Sequence, residues 1–122
     1  MRLPIPEGRN ARIQASLWQP FAVVGYIPYL ALRGKIGSLL LARADESGVL
    51  RFAGAVARGL SARMRIQLAI LLERDHVTVP STIGLPRLGV ERWVVPRYTA
   101  EIKFSGWGRS GDLRFPKFLR LR

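Results

Sequence analysis

One change of rhythm in the hydrophobic pattern limits what this 122-residue chain can fold into. Over residues 59–74, "GLSARMRIQLAILLER", Met64, Leu68, Leu71 and Leu72 recur at i, i+4, i+7 and i+8. That spacing lines one face of a helix. Ser61 stands where an N-cap hydroxyl accepts from a free first-turn amide, and Arg63, Arg65 and Arg74 lie off the stripe. Elsewhere the runs are those of strands. "NARIQASLW" (10–18) and "QPFAVVGY" (19–26) read as one long strand interrupted near Pro20, because proline has no amide for the ladder and suits a bulge or an edge. "IGSLLLAR" (36–43) is an apolar strand, "ADESG" supplies turn chemistry, and "VLRFAGAV" (49–56) returns as its hairpin partner. After the helix, "DHVTVPSTIGLPRLG" (75–89) reads as loop, its prolines and glycines breaking either period. "RWVVP" leads into a strand at "YTAEIKF" (98–104), and "DLRFPKFLRL" (112–121) is the last.

The order is therefore strand, strand, strand, helix, strand, strand. Five strands with a single helix between the third and fourth predict an all-β chain of the OB-fold class, a small barrel that commonly binds oligonucleotides. An SH3-like barrel is the structural rival, but it offers no place for a three-turn helix at that point. Length allows one domain. The expected division is an N-terminal arm or linker over 1–9 and the barrel over 10–122.

Charge narrows the partner. Lys and Arg total 20 against 8 acidic residues, giving a net charge of +12. Only Lys35, Lys103 and Lys117 are lysine, so arginine, which grips phosphate with a planar fork, supplies the rest. Such a balance over one small domain is the footprint of a polyanion binder. The absence of cysteine removes disulfides, thiol catalysis and zinc–thiolate sites. Residues 13–32 carry no charge and are long enough to span a bilayer. Pro20 and Pro28 within them argue against a membrane helix. "MRLPIPEG" lacks the apolar region of a signal peptide, so a cytoplasmic protein is expected.

"GWGRSG" (106–111) has the literal form G-x-G-x-x-G. A phosphate-cradling loop must follow a strand and open a helix. Here a strand follows instead, so the glycines are expected to serve positive-φ positions in a hairpin connection.

Two blocks carry a resemblance to a known family. "GSLLLARADESGVLRFAGAVARGL" resembles the G-A-L-L-L-G, turn, L-R-Y-A-G-x-V-G-T-G-F pattern of the C-terminal domain of bacterial ATP-dependent DNA ligases of the end-joining type. "WVVPRYTAEIKFSGWGRSGDLRFPKFLRLR" is similar to that domain's second block, and order and spacing agree from about residue 10 onward. The resemblance implies an OB-fold that clamps nicked duplex DNA in repair and recombination. It also implies a final motif that helps orient the ATP pyrophosphate. It implies ATP and Mg2+ as cofactors only of a separate nucleotidyltransferase domain, which bears the lysine nucleophile in K-x-D-G. No K-x-D-G occurs here, so no catalytic residue and no metal ligand is assigned. The K-x-K joining the family's two domains falls on Arg12-Ile13-Gln14, G-T-G on Ala57-Arg58-Gly59, and the arginine of R-x-D-K on Arg122.

Charge and resemblance together nominate Arg12, Arg58, Arg114, Lys117 and Arg120 as DNA contacts and Arg122 as a nucleotide-phosphate contact. Trp18, Trp93 and Trp107 are read as barrel core, Glu101 as a salt-bridge partner and His76 as a loop residue. The alternative function is a free-standing, non-catalytic OB-fold binder of single-stranded DNA or RNA, which would rely on exposed aromatics.

Overall fold

The computed structural model describes residues 17–29, 34–80, 82–86 and 89–122. Its strands are β1 (Leu17–Pro28), β2 (Ile36–Ala44), β3 (Leu50–Val56), β4 (His76–Val77), β5 (Arg92–Val94), β6 (Thr99–Phe104), β7 (Gly106–Trp107), β8 (Leu113–Arg114) and β9 (Lys117–Leu121); helix α1 spans Ala62–Glu73. β1 is the spine. From Ala22 onward it pairs antiparallel with β2; along its other edge Leu17–Ala22 pair with β6, and Gly25 and Tyr26 pair with β5. β3 extends the sheet beyond β2, and β9 extends it beyond β6.

The five long strands run in the spatial order β3-β2-β1-β6-β9, with α1 between β3 and β6 in sequence. The two end strands meet across a seam, where the Phe118 N–H donates to the Arg58 carbonyl at 2.8 Å. This is the OB-fold predicted from the pattern. The seam demands glycine: Gly59 has φ +92°, and a Cβ there would lie 2.2 Å from the Phe118 carbonyl oxygen.

The pleat sends alternate residues to opposite faces. Phe21, Val23, Leu39, Leu41, Ala53, Val56, Ile102, Phe104 and Phe118 fill the barrel, and Leu68 and Leu72 of α1 are buried in the same core. Leu40 and Ala42 point the other way and are equally buried, under Leu85 and Trp93. Burial on both faces explains why "IGSLLLAR" is almost wholly apolar instead of alternating. Gly25 admits the cover, since a Cβ there would come within 2.8 Å of the Trp93 ring.

Ser61 caps α1 as expected, its Oγ accepting from the Met64 N–H at 3.1 Å. Leu68 and Leu72 are buried, with Met64 and Leu71 packed against them. Arg65, although off the stripe, is a structural pin. Its guanidinium donates to the carbonyls of Ile36, Gly37 and Ala57.

Three local expectations are revised. β1 runs unbroken through Pro20, because β2 pairs only from Ala22 and, among the described residues, leaves Pro20 at an edge with no ladder bond to lose there; the register irregularities fall between Val23 and Gly25 and between Ile27 and Pro28. The expected 75–89 loop contributes β4, which pairs with β5, and Ile83, which bridges to Arg51. The last strand breaks into β8 and β9 around Phe115, whose φ is 52°. The glycine-rich stretch is a hairpin, β7 pairing with β8, and Gly106 and Gly111 have positive φ.

Candidate nucleic-acid interface

Along β6, Ala100, Ile102 and Phe104 point into the barrel, which turns Thr99, Glu101 and Lys103 outward. The register carries that outer face across three strands. Trp18, Lys103 and Lys117 form one row over β1, β6 and β9, and Pro20, Glu101 and Arg120 form the next. Lys103 and Lys117 are exposed, and Trp18 is 58% exposed. At the edge of the row, Arg58 projects from the turn after β3. It lines a shallow depression with Lys103, Phe104, Ser105, Phe115 and Lys117, three cations with no acid among the described lining residues.

Among the described residues Glu101 is the acid of this face, and it is only 6% exposed. Arg120 and Arg122 cover it. Nε of Arg120 stands 2.8 Å from Oε1, and Nε of Arg122 stands 2.8 Å from Oε2. The Arg120 contact is an ion pair without hydrogen-bond alignment, and the buried Oε1 accepts no hydrogen bond. Arg122 is also held by its backbone, its N–H donating to the Thr99 carbonyl at 2.6 Å. The Arg120 guanidinium lies over Trp18, 5.7 Å from the ring centroid. The predicted salt-bridge role of Glu101 is therefore observed, with two arginines.

The nominated residues fall into three groups. Arg58 and Lys117 share the depression. Arg120 and Arg122 share Glu101. Arg114 sits on the hairpin with its guanidinium 5.6 Å over Phe115, which also lines the depression. Arg12 lies outside the described residues. Sequence reasoning missed Lys103, although alternation in "TAEIKF" places it on the same face as Glu101. Trp18 is an exposed ring and not core; Trp107 packs edge-on against Phe21 and Phe104, and Trp93 covers Leu40. Beside Arg58, the close backbone approach at Gly59 is made by the chain's own Phe118.

Several other cations have structural work. Arg43 stacks on Trp107 at 3.9 Å, Arg51 pairs with Asp45 at 2.7 Å, and Arg97 pairs with the buried Asp75 at 3.1 Å. Asp75 holds the Arg97 guanidinium above its ordinary pKa by hydrogen bonding and charge. The Ser47 hydroxyl, then Arg51, holds the Asp45 carboxyl well below the usual carboxylate range. Part of the net +12 is thus engaged in ion pairs and stacking elsewhere, and on the outer face of β1, β6 and β9 the cations outnumber Glu101 among the described residues.

Fold and face define an OB-fold domain with a cationic sheet surface. Residues 32–122 match the family described as "ATP dependent DNA ligase C terminal region". The multifunctional non-homologous end joining protein LigD of Pseudomonas aeruginosa is 31% identical over 116 residues, which cover 91% of this chain but 14% of that protein. The ligase domain of LigD from M. tuberculosis superposes with a TM-score of 0.79 at 29% identity, covering 88% of this chain and 35% of that one. A mycobacterial DNA ligase D complexed with ATP and MES gives a TM-score of 0.73 at 30% identity, covering 87% and 34%. The chain belongs to the family of C-terminal domains of ATP-dependent DNA ligases of the end-joining type. It spans about a seventh of the length of the curated relative it matches.

Proposed function

We propose that this domain clamps nicked or broken duplex DNA for an ATP-dependent ligase, with phosphates lying on the outer face of β1, β6 and β9. The observation that carries the reading is the in-register row of Trp18, Lys103 and Lys117 flanked by Arg58, Arg120 and Arg122. Cations on one sheet face, with few exposed rings among them, suit phosphate neutralisation more than base stacking. ATP and Mg2+ belong to a separate nucleotidyltransferase domain carrying the nucleophilic lysine. From this chain, Arg122 fits a nucleotide phosphate, because its side chain is 61% exposed at the surface. Nicked DNA and that catalytic domain are the partners, in end joining.

The test is a titration of duplex DNA at several salt concentrations. Each phosphate contact contributes about −0.9 to the slope of log K against log salt, so five contacts give roughly −4 to −5. Binding should show little sequence preference. A slope near zero would contradict the proposal. The second reading, a single-strand binder, rests on the exposed Trp18 beside Arg120. Tight binding to single strands alone, abolished by Trp18→Ala, would establish it instead.

A further inference from the structure

Glu101 is an odd residue to find on an anion-binding face. It is buried beneath that face, points toward the site and leaves Oε1 without a hydrogen bond. A carboxylate whose role was merely to dilute positive charge would sit in water, where an unaligned oxygen costs nothing. Here the cost of burial is offset by two arginines that arrive from one strand end, both through Nε. A guanidinium has five N–H donors in a fixed planar fork. Each meets Glu101 through Nε, a geometry in which the other donors of the fork can face a second anion. Both side chains remain well exposed, at 64% and 61%. Their backbone is also fixed, Arg120 in register with Glu101 and Arg122 bonded to Thr99.

We infer that Glu101 is a positioning residue that holds Arg120 and Arg122 as a preformed two-arginine fork for a phosphate group. This rests on the phosphate-binding reading of the face given above. Its content is that an acid strengthens anion binding here, because it removes the rotamer freedom that two long side chains would otherwise lose on capturing a phosphate. Plain electrostatics predicts the opposite sign.

The experiment uses the full 122-residue chain with two probes, a duplex oligonucleotide and inorganic pyrophosphate, and two sets of variants. Arg120→Lys with Arg122→Lys preserves charge at two exposed positions, so the fold is retained; a lysine paired with Glu101 has no fork left to offer. The double variant should bind duplex about tenfold more weakly than the wild type, with the salt slope reduced by about one to two. Glu101→Gln raises the net charge by one, yet it should also weaken duplex binding several-fold. Added to the lysine pair, it should produce little further loss, since all three residues act as one unit. Loss confined to pyrophosphate supports the fork and assigns it to a nucleotide phosphate instead of the DNA backbone. Unchanged binding of both probes by the lysine pair, or tighter duplex binding by Glu101→Gln, overturns the inference. If the wild type binds no duplex at all, the proposed function fails, while the pyrophosphate arm still judges the fork. Should Glu101→Gln not fold, the lysine pair decides alone.

Discussion

The two outer faces of the sheet are built from the same strand and treated in opposite ways. Where β1 pairs with β2, the outside is apolar: Val24, Leu40 and Ala42 lie under Leu85 and Trp93, contributed by the 75–94 segment. Where β1 pairs with β6, the outside carries the exposed Trp18, Lys103, Lys117, Arg120 and Arg122, and among the described residues no apolar cover lies over them. OB-folds commonly bind oligonucleotides on the face of their second and third strands. In this domain that face is occupied by the chain itself. The difference teaches that the fold alone does not locate a site; the site proposed here lies where sequence left the sheet exposed and charged.

The predictions test that division. The largest effect is expected at the seam that closes the barrel under both faces. Gly59→Ala forces a side chain into a positive φ and onto the Phe118 backbone. It should cost about 3 kcal/mol or more of stability, measured by chemical denaturation. The covered face comes next. Trp93→Ala removes the ring over Leu40 and should cost about 3 kcal/mol, while DNA affinity per folded molecule stays at the wild-type value. A loss of affinity there would break the comparison.

The bare face should behave in reverse. Arg58→Ala, Lys103→Ala and Lys117→Ala should each lower the salt slope of duplex binding by about one, with stability unchanged to within about 0.5 kcal/mol. The smallest effect lies on neither face. Ser47 and Arg51 hold the Asp45 carboxyl below its ordinary pKa, so the folded state binds that proton less readily than the unfolded chain. The resulting stabilisation is present above about pH 4, the ordinary carboxylate value, and is lost as pH falls toward the folded value. The thermal stabilities of the wild type and Asp45→Asn should converge under acid.

Much of this architecture is legible in the sequence. The helix from Ser61, the β2–β3 hairpin and the β6 strand follow from period together with cap and turn residues, and the resemblance to ligase C-terminal domains follows from two long blocks. What period cannot show is what lies over a strand. "IGSLLLAR" announces burial on both faces, but part of the cover, Leu85, comes from some 45 positions downstream, in a stretch whose prolines and glycines read as loop. For the same reason Trp18 looks like core and Arg65 looks like surface. The break at Phe115 is hidden because a positive φ at a non-glycine residue leaves no compositional mark. In the candidate site, charge and resemblance together nominated Arg58, Lys117, Arg120 and Arg122. Lys103 needed the register, and the burial of Glu101 needed three strands in place.

The central claim, that the bare face meets phosphate while the covered face only stabilises, is tested most directly by mapping backbone amide shifts on adding duplex DNA to isotope-labelled protein. The account predicts the largest changes at Arg58, Lys103, Lys117, Arg120 and Arg122, with residues 78–93 nearly silent. Changes concentrated over 78–93 and the outside of β2 and β3, with β6 and β9 unmoved, would contradict it.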